Sequence, residues 1–301
     1  MTYQPVPAIS GWYLAHQRDL PWRARDRTPW GVLVSEVMLQ QTPVSRVHDV
    51  WQTWLARWPT PTDLATESPA EVIRAWGRLG YPRRALRLQA AAVACVERFG
   101  GQVPTTYDQL RTLPGVGDYT AAAVLAFAYG RRAVVLDTNV RRVLARHQVG
   151  QAQAGPSVTV AERALADALL PAEESAAALW SAAIMELGAL VCTSAAPHCD
   201  RCPASADCAW LAAGQPAYEG PERPKQKFAG TDRQVRGLLL SVLRDTPGPV
   251  SQQRLDLVWP AAVQRERALD GLVADGLVEP LPRGRYRLPA HAPQPAPPPP
   301  D

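Results

Sequence analysis

Apolar residues recur at every third or fourth position from Trp12 to about Leu190, which predicts a series of amphipathic helices. Proline, glycine, serine, threonine or aspartate separates each helical segment from the next. The strict alternation of apolar and polar residues that marks a half-buried strand does not occur in this range. The sequence therefore predicts an all-α main domain, with tryptophans at helical spacing in its core.

The pattern changes after residue 212. Residues 213–230 are rich in proline, glycine and charged residues, as is typical of a linker. Residues 231–290 show three short amphipathic helices followed by two short strands around Pro282 and Gly284, which predicts a small winged-helix-like domain. The proline-rich residues 291–301 are expected to be disordered.

Charge and composition narrow the classes of partner. The chain has 32 basic and 28 acidic side chains, a formal net charge of +4, which fits a nucleic-acid partner without establishing one. It has no apolar run long enough to cross a membrane and no recognisable export signal, so we expect a cytoplasmic protein without membrane contact. Lysine occurs only at Lys225 and Lys227 in the linker, so no lysine amine is expected inside a folded core.

The stretch GVGDYTA, which begins at Gly115, predicts a tight hairpin that leads into a helix. Gly115 and Gly117 permit backbone angles that a Cβ would hinder, and Asp118 can cap the helix. Such a turn fits either a phosphate-binding loop or an ordinary corner between helices. Asp137, with Asn139 two residues later, is either the cap of a further helix or a carboxylate that faces the same cleft.

Four of the five cysteines lie close together, at Cys192, Cys199, Cys202 and Cys208. Four thiolates at this spacing can hold a zinc ion or an iron–sulfur cluster, and the spacing alone does not decide between them. The fifth, Cys95, lies in a helical pattern and is expected to be a core thiol.

The hairpin LPGVGDYTA, the motif LDTNVRRV and the cysteine cluster together resemble the endonuclease III-type superfamily of helix-hairpin-helix DNA glycosylases. The resemblance implies a glycosylase domain over residues 1–212 with two helical lobes and an active site between them. One lobe is expected at about 24–132, and the other combines 1–23 with 133–212. The resemblance also implies a [4Fe–4S] cluster on the four clustered cysteines, in a loop that supports DNA binding.

In the same superfamily the hairpin binds DNA and the aspartate after it is catalytic. The resemblance therefore implies DNA contacts from Gly115, Val116 and Gly117, and a catalytic role for Asp137. Bifunctional members carry a lysine in the hairpin, where this chain has Tyr119, so the chain is expected to lack lyase chemistry.

The string SEVMLQQT at residues 35–42 resembles the adenine-specific mismatch glycosylases, the MutY family. This resemblance implies that Glu36, kept protonated in a dry pocket, donates a proton to adenine N7. Asp137 would stabilise the sugar cation or trap it covalently, and Asn139 would orient Asp137 or the water. Tyr119 is expected to form a hydrogen bond in the catalytic pocket near Asp137.

Further family positions are expected to meet the flipped adenine and the opposite 8-oxoguanine. They correspond here to Gln41, Thr42, Leu79 and Tyr81, and Arg23 matches a position near the pocket.

Three features depart from the family pattern. One extra residue separates Arg23 from Glu36, a polar residue that often faces adenine is Ala182 here, and residues 193–198 contain no lysine or arginine. The role of Arg23 and a phosphate contact from that loop are therefore open.

The C-terminal segment is a further departure. Family members usually carry a Nudix-like domain that helps to recognise 8-oxoguanine, whereas this chain has the winged-helix-like segment. Recognition of 8-oxoguanine is then either weaker or confined to Thr42, Leu79 and Tyr81. We hypothesise that the segment adds phosphate contacts through Arg233, Arg236 and Arg254.

The sequence thus predicts a monomeric, monofunctional glycosylase of base excision repair. Its expected substrate is double-stranded DNA in which adenine is mispaired with 8-oxoguanine or guanine. One alternative is a bifunctional endonuclease III-like enzyme acting on oxidised pyrimidines, which needs an amine that the hairpin lacks. Another is a non-catalytic winged-helix regulator with an iron–sulfur sensor, in which loss of Glu36 or Asp137 would be expected; both are present.

Overall fold

The computed structural model describes residues 5–221 and 228–290, so the expected linker lies partly, and the expected disordered tail wholly, outside the described residues. The chain divides into two compact units. Unit 1 consists of residues 1–36, 105–112 and 116–223, and unit 2 of residues 37–104, 113–115 and 224–301. Within the described ranges, no helix is both long and apolar enough to span a membrane.

Helices dominate the described chain, as the apolar spacing predicts. Those of the first half are α1 (Pro5–His16), α2 (Pro29–Leu39), α3 (Val44–Arg57), α4 (Pro61–Ala65), α5 (Pro69–Trp76), α6 (Arg83–Phe99) and α7 (Tyr107–Arg111). The second half contains α8 (Asp118–Tyr129), α9 (Thr138–Leu144), α10 (Val160–Leu169), α11 (Glu174–Leu190), α12 (Ala209–Ala212), α13 (Asp232–Asp245), α14 (Gln252–Asp256) and α15 (Ala262–Ala274). The strands are β1 (Val250–Ser251), β2 (Glu279–Leu281) and β3 (Arg285–Arg287). The all-α prediction for the main domain is confirmed, since the described strands all follow residue 249.

The core of unit 1 forms where α1, α9 and α11 pack together. Ile9 of α1, Val140 of α9 and Leu187 of α11 are buried in one apolar cluster. Gly188 permits this packing, because a Cβ at that position would lie 2.7 Å from Asn139 Cβ and 2.8 Å from the Asn139 carbonyl oxygen. Residue 188 therefore has to be glycine for α11 to lie this close to the start of α9.

Helix α8 packs in a second cluster of unit 1. Ala122 and Ala126 of α8 lie in this cluster with Ala178 and Met185 of α11. The small alanine side chains let the two helices approach closely. Residues 116–132, like 24–36, consequently belong to the same unit as the cysteine segment, which differs from the lobe bounds expected from the sequence.

The core of the first part of unit 2 is built around tryptophans. Trp54, Trp58 and Trp76 are buried, and the Trp54 ring meets the other two edge-on at centroid distances of 4.7 and 5.7 Å. Trp51 is only half-buried. Helix α4 begins with a capping box, in which Thr60 and Asp63 satisfy each other's backbone N–H groups.

The C-terminal part of unit 2 has the expected three helices, α13 to α15, and the expected hairpin of β2 and β3. It also contains β1, which pairs with β3 to give an antiparallel sheet of order β1-β3-β2. The sequence pattern missed β1 because two residues are too few to show alternation. Ile73 of α5 is buried in the same cluster as Val235 and Leu239 of α13, so this part packs directly on α5.

We predict that Gly188→Ala lowers the free energy of unfolding by about 1–3 kcal/mol, because the added methyl group meets backbone that must shift. Denaturant unfolding measures the effect. Gly11→Ala is the matched control, since a Cβ at this helical glycine of α1 meets no atom within 4 Å. Equal midpoints for Gly188→Ala and Gly11→Ala would contradict the close approach of α9 and α11.

Candidate active site

Glu36 lies in the third turn of α2 and is buried, with 6% of its surface exposed. Its described hydrogen-bond partner is Tyr119 of α8, whose hydroxyl donates to Glu36 Oε2 at 2.9 Å. The phenol of Tyr119, in the first turn after the hairpin, therefore lies against the carboxyl group of Glu36. The sequence placed Tyr119 near Asp137 and did not predict this contact with Glu36.

The surroundings of Glu36 favour its neutral form. Burial raises the pKa of Glu36 from 4.5 to about 7, and the negative charge of Asp137 acts in the same direction. The Tyr119 hydrogen bond and the positive charge of Arg23 lower it, but they do not cancel the effect of burial. Burial also raises the pKa of Tyr119 well above its ordinary value, so Tyr119 is a neutral donor.

Asp137 has the first of the two roles that the sequence left open, that of a helix cap. It is the N-cap of α9, where its Oδ1 accepts a hydrogen bond from the Val140 N–H at 2.7 Å. Its Oδ2 accepts a second hydrogen bond from the Asn139 side chain at 2.8 Å, and its charge also acts on Glu36. Burial raises the pKa of Asp137, whereas the hydrogen bonds from Val140 and Asn139 oppose that rise.

Arg142 holds Asn139 in place. Its guanidinium donates to Asn139 Oδ1 at 2.8 Å and to the carbonyl oxygens of Gly188 at 2.5 Å and Cys192 at 2.7 Å. The side chain that orients Asp137 is therefore tied through one arginine to the end of α11 and to the first of the clustered cysteines.

Arg23 is placed by a residue that sequence reasoning missed. Glu186 of α11 is fully buried and accepts hydrogen bonds from Arg23 Nη2 at 3.0 Å and from the backbone N–H and guanidinium of Arg18 at 2.6–3.0 Å. Burial raises the pKa of Glu186, but the bonds from the two arginines outweigh it and hold the pKa at about 2. The available signal was a carboxylate in the otherwise apolar second half of α11, since such a charge needs a partner.

The hairpin itself has a simple construction. Gly115 has φ of +80°, a conformation that favours glycine. Arg111 donates to the Val116 carbonyl oxygen at 3.0 Å and pairs with Asp118 at 2.8 Å. The expected cap by Asp118 is wrong: Gly117 is the N-cap of α8 without a side-chain bond, because the Asp118 carboxylate is turned to Arg111.

A second group of expected site residues lies in unit 2. Gln41 and Tyr81 have φ of +56° and +45°, a region that non-glycine residues rarely adopt. Such backbone strain is commonly found at functional sites. Leu79 is buried, and the Thr42 hydroxyl donates to its carbonyl oxygen at 3.2 Å. The structure thus brings Thr42 and Leu79 together and holds Gln41 and Tyr81 in unusual conformations.

Arg84 joins the two segments that carry these residues, and the sequence did not single it out. It is 6% exposed, and burial lowers its pKa to about 10. Its guanidinium donates to backbone carbonyls on both segments and to the Thr42 hydroxyl. The acceptors are Val37 (2.8 Å), Met38 (3.0 Å), Gln40 (2.6 Å), Thr42 (2.9 Å), Leu79 (3.4 Å) and Gly80 (3.1 Å).

The four clustered cysteines are free thiols that influence one another. Burial, together with the charges of the other three cysteines, raises the pKa of Cys202 to about 11. Arg146 donates to Cys192 Sγ at 3.5 Å, and Gln215 donates to Cys199 Sγ at 3.8 Å. In the described chain no three His, Cys, Asp or Glu side chains meet the geometry of a metal site. Four sulfur donors with an adjacent cation nevertheless fit the chemistry of an anionic iron–sulfur cluster.

A family model and curated relatives both match this chain. The family model "HhH-GPD superfamily base excision DNA repair protein" matches residues 34–169. An adenine DNA glycosylase of Mycolicibacterium smegmatis is 51% identical over 289 residues, which cover 96% of this chain and 97% of that protein.

Two solved structures resemble the fold. A thermostable thymine-DNA glycosylase has a TM-score of 0.62 at 27% identity, covering 69% of this chain and 95% of its own. A non-covalent endonuclease III–DNA complex has a TM-score of 0.59 at 22% identity, covering 69% and 94%.

The raised pKa of Glu36 leads to a prediction for stability. Between pH 4.5 and 7 the folded state holds a proton that the unfolded chain has lost, so the contribution of Glu36 to stability falls as the pH rises through this window. At about 1.4 kcal/mol per pKa unit, Glu36→Gln should stabilise the protein by about 2–3 kcal/mol more at pH 8 than at pH 5.

Denaturant unfolding at both pH values checks this. Glu97→Gln is the matched control, because Glu97 is exposed on α6 and should give no such difference. A pH-independent effect of Glu36→Gln would contradict the raised pKa.

Proposed function

The chain belongs to the adenine DNA glycosylase family of base excision repair enzymes, and we propose that it hydrolyses the N-glycosidic bond of adenine mispaired with 8-oxoguanine or guanine. The buried Glu36 carboxyl, with a pKa of about 7 and under the influence of Asp137, supports this reaction most directly. The identities of Gln41, Thr42, Leu79 and Tyr81 support 8-oxoguanine as the opposite base.

Glu36 acts as the general acid. A carboxyl with a pKa near 7 is protonated in a large fraction of molecules at neutral pH and still transfers its proton readily. Protonation of adenine N7 makes the leaving base neutral. General acid catalysis of this kind accelerates a reaction about 10²–10⁴-fold, or roughly 3–5 kcal/mol.

Asp137 acts as the anion that stabilises the developing sugar cation. Its two oxygens accept hydrogen bonds from Val140 and Asn139, which favour the charged form and fix its direction. Glu36 and Asp137 thereby divide the chemistry of glycosidic cleavage between a neutral acid and a charged carboxylate. Asn139, held by Arg142, is a positioning residue for Asp137.

Tyr119 supports a monofunctional reaction. It is a neutral phenol bonded to Glu36, so it offers no amine for Schiff-base chemistry. We propose that it positions the Glu36 carboxyl and that strand cleavage does not follow base removal.

The remaining assignments are part of the same proposal. The glycosylase domain comprises residues 1–212, and residues 231–290 form the winged-helix-like domain. Gly115, Val116 and Gly117 bind the DNA backbone, and Arg23, fixed by Glu186, lines the pocket. The protein works as a monomer in the cytoplasm.

We further propose that Cys192, Cys199, Cys202 and Cys208 hold a [4Fe–4S] cluster. When bound, the cluster crosslinks the segment that follows α11 and has no part in the bond cleavage. Arg146, buried and hydrogen-bonded to Cys192, provides a positive charge for the anionic cluster.

The reaction is tested with duplexes that carry adenine opposite 8-oxoguanine, guanine or cytosine. We expect strand breaks on the adenine strand only after alkali, with excision opposite 8-oxoguanine and guanine. Glu36→Gln and Asp137→Asn should bind DNA but slow single-turnover excision at least about 100-fold, since each removes a group of the transition state. Glu97→Gln is the control and should match the parent.

Near-normal excision by either variant would contradict its assignment. Breaks without alkali, or a DNA adduct trapped by borohydride, would instead favour the bifunctional alternative.

The cluster is tested by metal analysis and visible absorption of the purified protein. We expect about four irons per chain, and we expect Cys202→Ser to lose iron and colour because one thiolate ligand is missing. Cys95→Ala is the control, since Cys95 is buried in α6 and should leave the iron content unchanged. One zinc per chain in the parent would contradict the cluster.

A further inference from the structure

A groove of about 950 Å³ lies within unit 2, between the segment 77–87 and helix α13. Its most unusual property is its charge. Among the residues that the structure describes, eight arginines and one acidic residue, Asp275, line it. The arginines are Arg46, Arg78, Arg83, Arg84, Arg87, Arg233, Arg236 and Arg244.

The two walls of the groove are fixed to each other by core packing. Ile73 of α5 is fully buried among the apolar side chains of the C-terminal helices. Arg74 donates to the Arg244 carbonyl oxygen at 2.9 Å, and Arg244 donates to the Gly77 carbonyl oxygen. The C-terminal helices and the segment after α5 thus form one continuous surface.

Four of the arginines already form ion pairs or hydrogen bonds within the protein. Asp275 pairs with Arg236 and, at 3.2 Å, with Arg83. Arg84 and Arg244 bond to backbone carbonyls. Each of these four arginines therefore has a structural partner. Its guanidinium is less available for a ligand than that of an arginine without one.

Other arginines in the groove leave net positive charge. Arg78 and Arg87 are exposed and form no ion pair with any residue that the structure describes. The Arg233 guanidinium lies 4.6 Å from the Tyr81 ring centroid and 5.8 Å from that of Phe228. Cations interleaved with aromatic rings along an open groove are the pattern expected of a nucleic-acid surface.

We propose that this groove binds the phosphodiester backbone of the DNA substrate, with Arg78 and Arg87 as phosphate contacts and α13 as one wall. The inference rests on the proposed function, since the ligand is its DNA. It changes the sequence-based hypothesis for the C-terminal domain, because Arg236 is paired with Asp275 and Arg254 on α14 does not line the groove.

The proposal is tested by the salt dependence of DNA binding. The variant Arg78→Gln/Arg87→Gln removes two of the offered charges. The matched control, Arg254→Gln/Arg283→Gln, removes two exposed charges of the C-terminal domain, on α14 and in the β2–β3 turn, that do not line the groove. Fluorescence anisotropy measures the Kd for a duplex with a cleavage-resistant 2′-fluoroadenosine opposite 8-oxoguanine across a series of KCl concentrations.

Each lost phosphate contact reduces the slope of log Kd against log salt by about 0.9. The slope of the groove variant should therefore be about 1.8 smaller than that of the parent. The control should keep the parent slope. An unchanged slope in the groove variant, or an equal loss in the control, would overturn the proposal. Thermal unfolding establishes that both variants fold as the parent does.

A second measurement separates this inference from the proposed reaction. With enzyme in saturating excess, the groove variant should excise adenine at the parent rate, because neither substitution touches Glu36 or Asp137. It should need a higher enzyme concentration to reach that rate. Failure of the parent to excise adenine would reject the proposed reaction, whereas the salt slopes would still decide whether the groove binds DNA.

Discussion

The electrostatics of the candidate active site depend on one constraint: the Glu36 carboxyl is buried and its described hydrogen bond comes from a neutral phenol. Without a cation bonded to it, burial raises its pKa to about 7. Glu186, also buried, bonds to Arg18 and Arg23 and keeps a pKa of about 2. At neutral pH Glu36 is therefore protonated in a large fraction of molecules, whereas Glu186 in the same unit is ionised, and their partners decide which one can act as an acid.

Helix packing and hydrogen bonds fix the positions of the side chains around these carboxylates. Gly188 allows α11 to lie close to α9, and Arg142 connects the end of α11 with Asn139, which orients Asp137. Catalytic groups held by packed helices and by second hydrogen bonds keep their geometry better than groups on free loops. Residue 188 forms no hydrogen bond to these carboxylates, yet its lack of a Cβ sets how closely α11 approaches Asn139.

In unit 2 one buried arginine, rather than close helix packing, holds the candidate site residues. A single buried guanidinium, that of Arg84, accounts for hydrogen bonds to both segments that carry Gln41, Thr42, Leu79 and Tyr81. The strained backbone at Gln41 and Tyr81 persists because these segments are held by such bonds. The C-terminal helices pack on the same unit and form the arginine-lined groove, so a domain other than the Nudix-like one borders these residues.

The sequence by itself determined the helices, the hairpin and the family, because helical periodicity and motif spacing are local properties of the chain. It also predicted Glu36, Asp137 and the four cysteines as site residues. It also indicated the winged-helix-like hairpin, but not the two-residue β1. Only the tertiary structure decided that Tyr119 bonds to Glu36, that Gly117 rather than Asp118 caps α8, and that Arg84 joins two segments. It also decided the pKa of each buried carboxyl and the shape of the groove. The reason is physical: burial and hydrogen bonds between residues far apart in sequence depend on packing, which no local pattern records.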